Sequence, residues 1–358
     1  MWNKGWGPFS ESVKRRAADI FTVKFMLCLL LGQFLSFCIT STSVVTTELG
    51  IRGWSLPVTQ TLPVYICLNI VYTSYTLYRY GFKAWGKMVL TDGWKYAILG
   101  AVDVEANFLV IKAYQYSDLL SCSLLNAWAT PACMIFLFFL VKARYHWTQV
   151  LGVLICIGGL GLLVTSDYLT GKNYEASDKV KGDIFMLIGA TLYGLSNSLE
   201  ETFVRGRPLY EVVGQLGFWA SIINAAQGAG LEHKLYYEMP WNGGIIGLWI
   251  SYVIPMLCLY SLAVVLFRHT SAAFYNISLL TSSFYAYAMG TRIFGAKPYW
   301  LYYVAFPLII IGLFIYFTVA NPEAQAHNHV VARGKQAERE AIAENGGQSS
   351  QEEYKLAV

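Results

Sequence analysis

Between residues 22 and 320 the chain is a succession of long apolar runs separated by short polar breaks. Ten of these runs come close to the roughly 20 residues that a helix needs to cross the hydrocarbon core of a bilayer. They cover 22–46, 58–78, 94–116, 119–141, 147–166, 183–203, 212–230, 245–267, 270–291 and 299–320. Almost nothing is left over for a separate soluble domain. The pattern predicts an all-α membrane protein of ten transmembrane helices, with a polar, basic segment at 1–21 and a tail at 321–358. The tail is rich in Ala, Glu, Gln, Gly and Lys, which predicts a disordered extension. The first 20 residues are polar and the first apolar run is too long for a signal-peptide core, so a cleavable leader is not expected.

The longest predicted outer loop, 167–182, leaves five runs on each side, 22–166 and 183–320. Shifting the first half by 155 residues aligns Trp94 with Trp249, Leu124-Leu125 with Leu279-Leu280, Met134 with Met289, and Lys142 with Lys297. Five spans per half put the halves in opposite orientations, the inverted-repeat plan of secondary transporters, which places substrate near the midplane between the repeats. Pro63, Pro131, Pro255 and Pro307 fall inside predicted spans, where each invites a kink. Gly152, Gly158, Gly159 and Gly161 would let another helix come close to the fifth.

Composition agrees with a membrane class. Hydrophobic residues make up 56% of the chain and charged residues 13%, against about 25% charged in soluble domains. The net charge of +4 forms no basic stripe, so nucleic acid is not an expected partner. With the N-terminus cytoplasmic, fourteen Lys and Arg before the last span fall on the inner side and eight on the outer. The positive-inside rule therefore predicts both termini in the cytoplasm. All seven cysteines lie in predicted spans, which suits packing better than a disulfide framework.

No phosphate loop, G-x-S-x-G elbow or His/Cys metal spacing occurs, so neither an enzyme nor a cofactor is expected. The informative residues are intramembrane acids. Asp103 and Glu105 sit mid-way along the third run, where a carboxylate costs roughly 2.5–3.5 kcal/mol and must face the interior, a wet cavity or a partner. Asp103 shares a helix face with Asn107, and Glu105 shares another with Lys112. Of the two acids, Glu105 is expected to dominate, and Tyr114 follows on the same span. In the sixth run Asn197, Glu200 and Glu201 form a second acidic cluster, with Glu201 and Arg205 spaced for an i,i+4 pair. The fourth run adds Ser121, Ser123, Asn126, Trp128 and Thr130, and the ninth adds Tyr275, Asn276, Thr281 and several serines. This density suits a flat heteroaromatic ligand. The expected substrate-binding set is Asp103, Glu105, Asn107, Tyr114, Asn126, Trp128, Asn197, Tyr275, Asn276 and Thr281. The gating or coupling set is Glu105, Lys112, Glu200 and Glu201.

The strings DVEANFLVIKAYQYSDLLSCSLLNAW, LYGLSNSLEETFVRG and LYSLAVVLFRHTSAAFYNISLL resemble segments of solute carrier family 35, subfamily F, within the drug/metabolite transporter superfamily. The likeness runs over about 23–320. It implies ten helices in two inverted five-helix repeats and alternating access around a central cavity. Nucleotide-sugar relatives use a lysine in the ninth helix to neutralise phosphate, but this chain has no basic residue between His269 and Arg292. A queuine- or queuosine-like nucleobase or nucleoside fits the acids better. The expected function is thus a secondary-active or facilitative transporter of a small polar metabolite. A Golgi nucleotide-sugar antiporter is the alternative within transport, and a non-transporting scaffold or receptor is the alternative outside it. Expected partners are the solute and the lipid bilayer, with a homodimer left open. The expected location is multi-pass in the plasma membrane or in Golgi and other endomembranes.

Overall fold

A computed structural model describes residues 23–117, 122, 125–143, 145–169, 179–293 and 300–317. The N-terminal segment at 1–21, the tail at 321–358, and Ser121 and Ser123 lie outside the described residues. The described residues are mostly helical, with no strand among them. The helices are α1 (Val23–Ile51), α2 (Pro57–Leu68), a π-helical turn (Asn69–Thr73), α3 (Ser74–Tyr80), α4 (Phe82–Thr91), α5 (Gly93–Tyr116), α6 (Ala129–Val141), α7 (Trp147–Leu169), α8 (Lys179–Gly206), α9 (Leu209–Leu231), α10 (Leu235–Glu238), α11 (Gly243–His269), α12 (Ala272–Leu279), α13 (Ser282–Ile293) and α14 (Trp300–Phe317).

A helix occupies each of the ten apolar runs, but not always as one rod. Among the described residues, Phe25–Ile51 and Gly243–His269 are long and apolar enough to cross a bilayer unaided. Several of the others are interrupted or more polar. In the fourth run the chain turns at Ala127 and Trp128 before α6 begins. Pro131 therefore lies in the first turn of a new helix and not at a mid-span kink, and there its missing N–H costs nothing. The ninth run turns at Leu280 and Thr281, between α12 and α13. Both turns keep their amides bonded through short-range contacts such as Thr130 N to Ala127 O at 3.1 Å and Thr281 N to Ser278 O at 3.2 Å. That is what a low-dielectric setting demands of irregular backbone. The expected outer loop at 167–182 is shortened, because α7 runs on to Leu169 and α8 starts at Lys179.

Three features go beyond the sequence reading. A π-helical turn interrupts the second run. A separate helix, α4, joins the second and third. Gly81 turns the chain into it at φ 79°, a conformation that side-chain-bearing residues rarely adopt.

The packing pairs are specific. α5 and α6 both pack on α8, and α11 and the α12–α13 pair both pack on α1. α9 contacts α2, the π turn and α5, while α7 pairs with α14. Small residues set several of these contacts. A Cβ at Gly194 would lie 2.8 Å from both Ala132 Cβ and Cys133 N, and one at Gly152 would lie 2.7 Å from Gly312 O. A Cβ added at Gly158 or Gly161 would meet nothing within 4 Å, so the expected close approach holds at Gly152 and not at these two positions. The outer surface carries many large apolar side chains, among them Leu30, Phe34, Phe138, Phe139, Ile250, Ile254 and Phe314. Soluble proteins rarely expose so much apolar area, which lipid covers at no cost. The seven cysteines are free thiols, four of them buried.

Gly152→Val should lower stability by about 1–3 kcal/mol through forced separation of α7 and α14. A detergent-solubilised thermal melt reads this, and a wild-type melting temperature would show that these helices tolerate added width.

Candidate functional site

A cavity of about 60 Å³ lies between the two interrupted helices, room for roughly four to six water molecules. Asn126, Ala127, Ala129 and Thr130 line it from the first turn, and Tyr275, Asn276, Leu279, Leu280, Ser282 and Ser283 from the second. Asp103 of α5, Tyr193 and Asn197 of α8, Met256, Leu259 and Tyr260 of α11, and Ile39 of α1 complete the wall. The turns matter for a simple reason. An unbroken helix presents only side chains, whereas a helix end brings polar side chains and backbone close to one point.

Asp103 is the centre of this site. It is 4% exposed and accepts hydrogen bonds from Tyr65 Oη at 2.7 Å, Tyr260 Oη at 2.5 Å and Ser196 Oγ at 3.0 Å. Asn107, one turn along α5, donates from Nδ2 to Tyr65 Oη and Tyr260 Oη, each at 2.9 Å. Its Oδ1 accepts from Tyr193 Oη at 2.8 Å. Helices α2, α5, α8 and α11 thus converge on one carboxylate. Among the described residues no lysine or arginine pairs with it.

The structure turns Asp103 toward the cavity, and not Glu105. Glu105, two positions on, points roughly 200° away around the helix. It is exposed and accepts from Gln227 Nε2 of α9 at 2.9 Å. Helical phase allows only one of the pair to face the cavity, and the packing of α8 and α11 selects Asp103. Lys112 forms no ion pair with Glu105, although the two share a face.

The remaining expected residues divide. Asn126, Asn197, Tyr275 and Asn276 line the cavity. Asn197 Nδ2 donates to Asn276 Oδ1 at 3.2 Å, and Asn276 Nδ2 donates to Ala272 O at 2.8 Å. Asn126 Oδ1 is buried and has no hydrogen-bond partner among the described residues, which leaves an unmatched acceptor on a residue of the cavity wall. Asn107 stands one layer behind the wall. Trp128 lies on the outside, 41% exposed, donating to Thr191 Oγ1 at 3.1 Å. Tyr114 binds Ser43 Oγ at 3.2 Å and ties α5 to α1. Thr281 turns toward α1, where it meets Ser36 Oγ at 2.9 Å and Gln33 Oε1 at 3.0 Å.

The second acidic cluster is buried beside the cavity. Glu201 pairs with Arg205, and its Oε2 accepts from Ala272 N at 2.7 Å, capping the start of α12. Glu200 is 4% exposed, and its Oε1 has no partner among the described residues; Asp103 and Tyr275 lie within its electrostatic reach. Sequence reasoning missed Tyr65, Tyr193, Tyr260 and Ser196. Only their convergence on Asp103 and its neighbour Asn107 distinguishes them from packing residues.

The sequence is similar to proteins of one known family. The family model for solute carrier family 35, SLC35F, matches residues 21–318. An uncharacterized solute carrier family 35 member of Schizosaccharomyces pombe is 48% identical over 313 residues, covering 87% of this chain and 62% of that protein. The chain thus spans less than two thirds of that relative's length. Solute carrier family 35 member F2 of Mus musculus is 33% identical over 88% of this chain and 86% of its own. The Xenopus tropicalis protein of the same name is 33% identical over 87% and 81%. A solved crystal structure superposes with a TM-score of 0.61 over 81% of this chain and 96% of its own at 19% identity, a likeness of fold alone.

Asp103→Asn should weaken solute binding by about 10- to 150-fold, the equivalent of about 1.5–3 kcal/mol for a charge-assisted contact. Glu105→Gln should leave binding within about twofold, since its side chain points away from the cavity. Binding isotherms on the two purified variants decide the order, and a larger loss in Glu105→Gln would reverse it.

Proposed function

The chain belongs to solute carrier family 35, and from that membership together with the cavity we infer that it is an integral membrane transporter working by alternating access. Its solute is a small, neutral or cationic metabolite of nucleobase or nucleoside type, queuine-like in chemistry. Ten spans in two inverted five-helix repeats carry it, with both termini in the cytoplasm. The membrane is the plasma membrane or an endomembrane.

Pairwise packing supports the repeat. Exchanging each span with the one five places away turns α5 on α8 into α11 on α1, α6 on α8 into α12–α13 on α1, and α5 on α9 into α11 on α2. Each of these contacts is present. The pairs α2 with α9, α6 with α12, and α7 with α14 map onto themselves. The helix turns also correspond. Shifted by 155 residues, the turn at Ala127 and Trp128 falls two residues beyond the turn at Leu280 and Thr281. Discontinuous helices at matching places in the two halves are the usual pointer to a transport site.

The observation that carries the solute class is a cavity walled by one carboxylate and several amides, with no cation among its lining residues. A phosphate-bearing solute would meet like charge there, and nothing in the lining would neutralise it. A heterocycle with N–H donors would instead satisfy Asn126 Oδ1, and the Tyr193, Tyr260 and Tyr275 rings offer stacking faces. The cavity as it stands holds only a few waters, so loading requires the two helix turns to part. Glu201, joining α8 to the start of α12, is placed to act as a latch in that motion. Glu200 is a candidate for coupling.

Counterflow into liposomes with a panel of nucleobases, nucleosides and nucleotide sugars tests the reading. Uptake of the first two classes is expected. Nucleotide-sugar exchange would install the antiporter alternative, and no flux of any class would favour a scaffold or receptor. Asn126→Leu should cost about tenfold or more in affinity for solutes that donate an N–H, while analogues lacking that donor change little. Glu201→Gln keeps the shape of the latch but weakens its pairing to Arg205. It should change the transport rate more than equilibrium solute affinity, read as a rate measured against a binding isotherm.

A further inference from the structure

We propose that α4, together with Arg79 just before it, is a binding surface for the headgroups of anionic phospholipids in the leaflet it lies against. The proposal rests on the spans flanking α4 crossing the bilayer and is independent of which solute is carried. By the charge asymmetry of the loops that leaflet is the cytoplasmic one.

The helix has two unlike faces. One rests on the protein: Trp85 packs edge-on against Phe218 of α9 with ring centres 5.4 Å apart, and Gln215 Nε2 approaches Met88 Sδ at 3.6 Å. Lys83, Lys87 and Leu90 follow at i, i+4 and i+7, on the side opposite Trp85 and Met88. Lys83 and Lys87 are exposed, Leu90 is 87% exposed, and Phe82 at the helix start is 75% exposed. Cations interleaved with unburied apolar groups, on a short helix between two spans, describe an element that lies in the interface plane. Its lysine stems reach up to headgroups while its apolar groups enter the acyl boundary. Gly81 makes the turn that takes the chain out of α3 and into this plane.

Charge complementarity names the occupant. Arg79, Lys83 and Lys87 make no ion pair among the described residues. Asp92, which ends α4, is already engaged by Lys95 at 2.7 Å and Arg207 at 2.6 Å. These two cations hold its carboxyl below the usual carboxylate range. Glu211 is held in turn by Arg207 at 2.8 Å and Tyr96 Oη at 3.2 Å. Three cations are therefore left without an internal partner at the level where an anionic leaflet presents phosphate and carboxylate groups. Juxtamembrane basic clusters respond to that surface potential charge by charge.

The test uses full-length protein in phosphatidylcholine bilayers containing spin-labelled phosphatidylserine or spin-labelled phosphatidylcholine, with the protein-bound fraction of each read by electron paramagnetic resonance. Wild type should retain phosphatidylserine preferentially, and added salt should erode that preference by screening. Each neutralisation among Arg79→Gln, Lys83→Gln and Lys87→Gln should lower the preference by about fivefold. Lys83→Arg with Lys87→Arg should keep it, which separates charge from folding. Lys234→Gln, an exposed cation at the other end of the bundle, should leave it unchanged. No preference in wild type, or full preference in the triple Gln variant, overturns the proposal. Flux in the solute panel is a separate readout, so loss of the transport reading with lipid selectivity intact is recognisable as such.

Discussion

A carboxylate inside a bilayer must find its hydrogen-bond donors within the protein, and much of this architecture is arranged around Asp103. Its donors come from α2, α8 and α11, with Asn107 of its own helix bridging two of them. Four helices from both halves of the chain are thereby tied to one point. Each donor offsets part of a burial cost that amounts to several kcal/mol for an unpaired charge. The helices cannot rotate independently without stranding an oxygen. The same constraint keeps the cavity polar in the middle of an otherwise apolar bundle.

The interrupted helices follow from the same physics. Opening a helix in a low-dielectric medium is tolerable only where the freed amides find new partners. At the start of α12, Ser271 Oγ accepts from Phe274 N at 3.1 Å and Glu201 from Ala272 N. The start of α2 is treated alike. Glu232 of α9's far end accepts from Val58 N and Thr59 N, both at 2.8 Å. Two buried glutamates from neighbouring helices thus cap two helix starts, at opposite ends of the bundle. A carboxylate suits a helix N-terminus because unsatisfied N–H groups and the helix dipole both favour negative charge there. Such contacts hold the bundle together, yet each is a discrete bond that can open as a unit.

Close packing elsewhere relies on small residues in place of hydrogen bonds. Gly152 against Gly312, Gly194 against Ala132 and Gly100 against Ala220 bring backbones together where larger side chains would hold them apart. In lipid, where apolar side chains gain little by leaving their solvent, this proximity and its dispersion contacts are the main source of association. The arrangement yields a scaffold held by packing at its margins and by a polar node at its centre.

The sequence by itself determined the membrane class, the helical content and the location of every long helix, because about 20 apolar residues in a row have few other uses. It also pointed to Asp103, Asn107, Asn126, Asn197, Tyr275 and Asn276, since polar groups in apolar runs must be accounted for. It favoured Glu105 over Asp103, a choice that local pattern alone had no means to make. Both acids satisfy the same local pattern, and choosing requires knowing which side of α5 meets α8 and α11. It placed Trp128 and Thr281 among the ligand-facing groups on composition, whereas the helix turns swing one outward and the other toward α1. Tyr65, Tyr193, Tyr260 and Ser196 were illegible for the converse reason. A single hydroxyl in a span carries no signal until the fold brings its partner within 3 Å or so, a typical hydrogen-bond length. Local periodicity reports what a residue must avoid, and tertiary packing alone decides what it meets.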